Sequence, residues 1–351
     1  MPHVERPAAA ALIRVEDARD ALPRVVAPMR PRLAAGPFNS ADHLFEVKWD
    51  GIRAVLARDR SGLRLLDRSG GDLLRAVPEL RDAHVPEGVV LDGELIVCDG
   101  RGRPSYDLLA GRLGPRAARR GHGPFFVAFD LLYDDHRPLL ARPLEERRKR
   151  LKALDIRDPR VPVPDHLEAD GEPFFDAVEE YGLEGMVAKK RRSPYVPGAR
   201  TSDWLKCHVT PRADVVLGGL VLDEVRGARY AMCGWSSPHG LTYAGDAYVP
   251  PYLGRWLDEA TRAFASEASP FATPLPVRGG SRWLRPVLVA IVEHAGAGGV
   301  ELDDARFRAL RLDGDATTTV FETPIEQASS PATGPIERPR LIVLQSLPFP
   351  S

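Results

Sequence analysis

Lysine is scarce in this chain. Of 48 lysines and arginines, only Lys48, Lys149, Lys152, Lys189, Lys190 and Lys206 are lysines. Arginine cannot give up its proton near neutral pH, so a retained lysine marks a place where chemistry can use a free amine. Cysteine is scarcer still. Cys98, Cys207 and Cys233 are odd in number, far apart and in no C-x-x-C pair, which excludes a disulfide framework and a structural zinc site and fits a reducing cytosol. No apolar run approaches the ~20 residues of a membrane span. The Ala8–Ala11 run is broken by Arg14, Glu16 and Asp17, so no signal peptide is read. A formal net charge of -1 excludes the bulk basicity of a nucleic-acid coating protein, though local basic patches remain able to bind phosphates.

With 351 residues the chain has room for two domains. The reading is α+β. Residues 1–25 form a poorly specified leader, 26–210 a domain of antiparallel strands and helices, and 211–318 a small β-barrel. The segment 319–351, rich in Pro, Ser and Thr, reads as a loosely ordered tail. In the first domain, Gly88–Val97 and Phe125–Tyr133 are buried strands by their branched and aromatic content. Leu144–Leu154 and Phe174–Tyr181 are helices, the second ended by Gly182. After Pro211, strands are expected at Ala213–Leu222, Ala228–Trp235, Leu241–Val249 and Trp283–Val292, with a helix from Tyr252 to Ala268. That is the pattern of a five-stranded oligonucleotide-binding (OB) barrel.

The most informative stretch is Glu46-Val47-Lys48-Trp49-Asp50-Gly51-Ile52-Arg53. Its Lys-x-Asp-Gly-x-Arg pattern resembles the nucleotidyl-lysine motif of ATP-dependent DNA ligases, RNA ligases and mRNA capping enzymes, and it makes Lys48 the candidate nucleophile. Further elements follow in order: Asp67-Arg68-Ser69-Gly70, Asp92-Gly93-Glu94, Phe129-Asp130, Glu184-Gly185-Met186-Val187-Ala188-Lys189 and Trp204-Leu205-Lys206. The ordered set resembles the motifs of ATP-dependent DNA ligases over residues 27–315, and most of all the short ligase domains of bacterial end-joining ligases.

That resemblance implies an adenylation (nucleotidyltransferase) domain followed by an OB domain, with ATP as co-substrate and Mg2+ (or Mn2+) as the metal. The substrate would be nicked or broken duplex DNA, sealed through lysyl-AMP and adenylated DNA in repair or end joining. Lys48 would attack the α-phosphorus, with Arg53, Lys189 and Lys206 as cations that lower its pKa by repulsion and neutralise the triphosphate. Glu46, Asp50, Arg68, Phe129, Lys189, Lys206 and Arg311 would bind ATP, Phe129 by stacking on adenine. Glu94 and Glu184 would hold the metal, because magnesium takes one or two carboxylates plus phosphate oxygens. The same resemblance implies a monomer in the cytoplasm, associated with the nucleoid, possessing no membrane segment and open to recruitment by an end-binding protein such as Ku.

The chain departs from that pattern twice. The Lys-x-Lys of the fifth motif reads Lys206-Cys207-His208, and the final Arg-x-Asp-Lys reads Arg311-Leu312-Asp313-Gly314. Slow adenylation is the expectation, with lysines at 208 and 314 expected to speed it. The alternatives are an RNA ligase or capping-type guanylyltransferase, and a degenerate ligase-like module that binds DNA ends. NAD-dependent ligases resemble larger chains with a four-cysteine zinc element. Arg112–Arg120, Arg147–Lys152 and Lys189–Arg192 are candidate contacts to DNA phosphates; for the Arg147 run a solvated helix face is the favoured reading, and Lys189–Arg192, which begins inside a motif, is the better candidate.

Overall fold

The computed structural model describes residues 22–114, 121–223, 227–275, 280–295 and 300–331. The first domain runs β1 (Arg30–Leu33), β2 (Ser40–Lys48), β3 (Ile52–Asp59), β4 (Gly62–Asp67), β5 (Val89–Cys98), α1 (Tyr106–Leu113), β6 (His122–Asp134), β7 (Arg137–Pro138), α2 (Leu144–Ala153), β8 (Leu167–Ala169), α3 (Gly171–Glu180), β9 (Gly185–Lys190) and β10 (Arg200–His208). Two five-stranded sheets result, ordered β1-β10-β9-β2-β8 and β4-β3-β5-β6-β7. All neighbours pair antiparallel except β1 and β10.

A core that includes Phe38, Phe45, Val47, Val55, Phe129 and Trp204 draws on both sheets and fuses them. The other face of the second sheet buries Leu56, Leu91 and Phe126 with Leu109 of α1 and Leu151 of α2. Helix α2 carries Glu145 and Glu146 in its first turn and Arg150 and Lys152 in its last, an arrangement that suits the helix dipole. Gly182 closes α3 at φ 65°.

The second domain continues with β11 (Arg212–Asp223), β12 (Ala228–Ser237), β13 (Gly240–Val249), α4 (Pro251–Thr261), β14 (Ala265–Ser266), β15 (Arg282–Leu284), β16 (Val289–Glu293) and β17 (Arg306–Leu310). Strands β11, β12, β13, β17 and β16 close on themselves as a five-stranded barrel. The single strand expected over Trp283–Val292 is two short ones, and the fifth barrel strand is β17, a segment read only as a motif. Ile291 of β16 and Ala309 of β17 pack into the first domain's outer core, so the barrel leans on the first domain.

The C-terminal segment differs from the expected loose tail as far as residue 331. Ser236 N–H donates to Thr319 O at 2.8 Å, and Phe321 meets Trp235 edge-on. Ile325 then pairs beside β1, exchanging hydrogen bonds with Leu33 and Ala35. The strap thus joins barrel and sheet edge through unpaired backbone groups that an edge strand offers. The leader through residue 21 and the tail beyond 331 lie outside the described residues. Among the described residues no helix is long and apolar enough to cross a membrane.

Candidate active site

Lys48 is the last residue of β2, and its register partner on β9 is Gly185. That register puts the preceding residue, Glu184, beside the amine, and Lys48 Nζ donates to Glu184 Oε1 at 2.7 Å. The chain then crosses from one sheet to the other through Trp49-Asp50-Gly51. A Cβ at Gly51 would lie 2.3 Å from the Leu95 carbonyl oxygen, so only glycine lets β3 start this close to β5. Asp50 accepts from the Tyr106 amide at 3.3 Å and from Arg212 at 3.4 Å. Burial and the nearby Glu184 carboxylate push its pKa up to about 6.

Two of the expected cations, Arg53 and Lys189, are each hydrogen-bonded to a carboxylate. Arg53 grips Asp92 with two bonds of 2.6 Å and donates to the Met29 carbonyl. Tyr195 donates its hydroxyl to the same Asp92 at 2.7 Å. Lys189 Nζ donates to Glu46 at 2.6 Å, with Arg148 Nε 3.6 Å from the other Glu46 oxygen. Burial opposes the Glu46 charge, yet these two cations hold its pKa below the ordinary value. The repulsion on Lys48 that the sequence led us to expect is therefore offset at Arg53 and Lys189. Both cations instead cover Phe129, the guanidinium 4.6 Å and the ammonium 4.0 Å from the ring centre, as cation–π contacts do.

Lys206 is different. Its nearest carboxylate is Glu322 of the C-terminal strap, at 3.9 Å, and Glu322 also pairs with Arg200. Burial, against the pull of Asp214 and aided by Lys48, brings Lys206 down to about 8. Glu94 lines the same cavity, and burial raises its pKa to about 8, with Asp313 and Glu184 adding to the shift while Arg53 and Lys48 oppose it. The cavity, about 170 Å³, is lined by Lys48, Glu94, Phe129, Lys206 and Arg311 among others. It brings together every expected site residue except Asp50 and Glu184, which line a second cavity that shares Lys48.

The barrel supplies one wall. Arg311 donates to Asp214 at 2.8 Å and stands 3.7 Å from Asp313, while Arg68 hydrogen-bonds the Asp313 carbonyl. Residues 29–208 match the family model of the ATP-dependent DNA ligase domain. The chain belongs to that family.

This ligase domain is 36% identical over 267 residues to the multifunctional non-homologous end joining protein LigD of Mycobacterium bovis, covering 72% of the chain and 34% of LigD. It is 32% identical over 201 residues to the SPbeta prophage-derived DNA ligase-like protein LigB of Bacillus subtilis, covering 57% of the chain and 74% of LigB. A solved structure of mycobacterial DNA ligase D complexed with ATP and MES superposes with a TM-score of 0.60 at 32% identity, covering 85% of this chain and 98% of that one. The chain spans about a third of the length of the M. bovis LigD protein.

The two departures have physical settings. His208 is partly buried, its ring 3.5 Å from Glu184 Oε1 and neither ring nitrogen hydrogen-bonded. Burial, and Lys48 against the pull of Glu184, lower its pKa to about 4, so it brings no cation to the ligase at neutral pH. Gly314 is packed under the barrel. A Cβ there would come 2.5 Å from Val289 Cβ, so the expected gain from a lysine at 314 meets a steric conflict.

The basic clusters are spent in part inside the ligase, while Lys149, Arg150, Lys152, Lys190 and Arg192 are exposed. Arg147 is fully buried against Asp130, with bonds of 2.8 and 2.9 Å. Arg148 donates to the Phe129 carbonyl at 3.0 Å, Arg112 pairs with Glu79, and Arg191 with Glu145 and Glu168. The solvated-face reading of the Arg147 run also fails at these two arginines, because they are core. Residues 115–120 of the first cluster lie outside the described residues.

Sequence reasoning missed Asp92 as the seat of Arg53, Tyr195, Tyr106, Arg212 and Asp214. Asp92 was visible in its motif. Arg212 and Asp214 carry no local pattern, and only the turn from β10 into β11 brings them to the site, where Arg212 reaches Asp50, Glu184 and Glu293.

Proposed function

We propose that this ligase domain seals 5′-phosphate/3′-hydroxyl breaks in DNA through three nucleotidyl transfers, with Lys48 as the nucleophile. The contact that carries the reading is that of Lys48 Nζ with Glu184, at the rim of a cavity whose other walls hold Phe129 and the cations Lys206 and Arg311. Glu184, held well below its ordinary pKa by Lys48 and Arg212 against the effect of burial, orients the amine. The amine loses a proton to solvent and bonds to the α-phosphorus as the bond to the pyrophosphate oxygen breaks. Lys206 and Arg311 balance the charge that develops on the phosphoryl oxygens. In the next transfer the 5′-phosphate of DNA displaces Lys48 from the AMP phosphorus. In the last, the 3′-hydroxyl oxygen attacks the 5′-phosphorus and AMP leaves.

Mg2+ or Mn2+ fits Glu94. Burial raises its pKa, with Asp313 and Glu184 adding to the shift; a bound cation would offset that cost, and hard carboxylate oxygens suit either ion. Glu184 offers its second oxygen, Oε2, which is buried and unpartnered. When bound, the ion would neutralise phosphate charge. Glu46 and Phe129 would receive the adenine, and Arg68 the ribose or the DNA 5′-phosphate.

By likeness to proteins named for non-homologous end joining, the substrate in this proposal is a broken end as well as a nick, and an end-binding protein such as Ku is the recruiting partner. The domain acts as a monomer on cytoplasmic, nucleoid DNA. Incubation with labelled ATP or GTP, followed by a nicked duplex, tests the reading. ATP-dependent labelling and sealing support it, while GTP labelling without sealing replaces it with a capping-type transferase.

A further inference from the structure

Tyr106 opens α1, which starts at an N-cap Ser105 whose side chain accepts from the Leu108 amide. Its ring is buried, at 3% exposure, and the hydroxyl has found partners in the other domain. It donates to the Leu310 carbonyl at 3.1 Å and accepts from the Leu312 amide at 2.9 Å. Those two groups flank Arg311. The Arg311 guanidinium also lies 5.6 Å from the Tyr106 ring centre. At its other end, the Tyr106 amide donates to Asp50 Oδ2 at 3.3 Å, two residues past the nucleophile. One residue therefore grips the turn that carries Lys48 and the barrel loop that carries Arg311.

We propose that Tyr106 is a positioning residue for the adenylation step: a hydroxyl latch that holds the Arg311 loop of the barrel over the ATP site. The inference rests on the ligase reading above. A buried hydroxyl keeps both its donor and its acceptor satisfied only while the barrel is docked. Because the bonds go to main-chain groups on either side of Arg311, they fix the path of that loop independently of its side chains. The other side-chain contacts at this loop, Arg311 with Asp214 inside the barrel and Arg68 with the Asp313 carbonyl across to the first domain, involve charged side chains that ATP phosphates compete for. The Tyr106 bonds do not face that competition. Removing the hydroxyl leaves the Leu312 amide and Leu310 carbonyl unsatisfied in the docked state but free to meet water when the barrel lifts, which shifts the population away from docking. Attack by the 3′-hydroxyl on adenylated DNA expels AMP rather than pyrophosphate, so it does not need Arg311 to balance the charge of a departing pyrophosphate.

The test is Tyr106→Phe, which keeps the ring and its packing. Single-turnover lysyl-AMP formation at sub-saturating ATP is measured beside single-turnover sealing of a pre-adenylated nick, with the melting temperature recorded for both proteins. The latch predicts adenylation slowed about tenfold, the effect of losing one to two buried hydrogen bonds, and sealing of the pre-adenylated nick changed by less than about twofold. Equal adenylation rates in the two proteins overturn the latch. So does an equal fall in both steps, with or without a lower melting temperature, because that describes a merely structural tyrosine. Absence of lysyl-AMP in the unmodified protein would instead remove the ligase reading, and the latch with it.

Discussion

Glu184 Oε1 holds Lys48 Nζ at 2.7 Å because Gly185, the next residue, is the register partner of Lys48 across β2 and β9. The two glutamates expected to share a metal therefore stand in different situations. Glu184 serves the amine through one oxygen, whereas Glu94 carries a raised pKa among other acids.

This contrast gives separable outcomes. Glu94→Ala and Glu184→Ala should each slow adenylation more than tenfold, a loss above about 1.4 kcal/mol. Raising Mg2+ or substituting Mn2+ should recover part of the activity of Glu94→Ala and little of that of Glu184→Ala. Adenylation rates across a metal titration check it, and equal rescue of both variants would restore the symmetrical assignment.

Glu94 also sets a pH dependence. Its folded-state pKa of about 8 lies above the ordinary 4.5, so between those values the folded chain keeps a proton that the unfolded chain has lost. Its contribution to stability is then greatest below pH 4.5, falls as pH rises, and levels off above 8. Glu94→Gln should remove that decline. Melting temperatures of the two proteins from pH 5 to 9 should diverge in favour of the glutamine variant as pH rises; parallel curves would contradict the assignment.

Gly314 is a packing residue. Gly314→Ala should destabilise the protein by about 1–3 kcal/mol, the usual effect of forcing an atom into a filled site, and Val289→Ala should relieve part of it. Urea unfolding of the two single variants and the double variant measures the coupling. A stable, unperturbed Gly314→Ala would reopen the idea that a lysine fits there.

Arg147 and Asp130 make a fully buried pair. Replacing either with alanine strands the other charge, which typically costs about 3–5 kcal/mol. Arg147→Ala should lower stability by that order while leaving the salt dependence of DNA binding by the folded protein unchanged. A shallower salt slope with normal stability would return Arg147 to the DNA-contacting surface.

Much of the site was legible in the sequence because its parts are local. Lys48, Asp50, Gly51 and Arg53 sit within one strand-turn-strand, and Glu184 and Lys189 lie just before and within a single strand. The closed barrel was also readable from strand spacing, though β17 was hidden because Arg306–Leu310 was taken for a motif rather than for the half-buried strand it is. Helix α1 was missed. It is one of the shorter helices and follows a strand and turn without a long apolar stripe, so its local cues were only short ones: the capping Ser105, Asp107 in the first turn and Gly114 at the end. What could not be read was pairing across distance: Arg53 with Asp92, Tyr106 with Leu310 and Leu312, and the strap at Ile325 against β1. Composition marked residues 319–331 as loose, but backbone pairing with a sheet edge depends on main-chain groups that composition does not register.

The most direct test of the account is the covalent state of Lys48. The purified protein is incubated with ATP and Mg2+, its intact mass is measured, and the modified peptide is fragmented. The account predicts a single added AMP on Lys48, released on addition of nicked DNA, and no adduct on Lys48→Arg, whose guanidinium stays protonated. An AMP mapped to any other residue, or ATP-dependent sealing by Lys48→Arg at the unmodified rate, would contradict it.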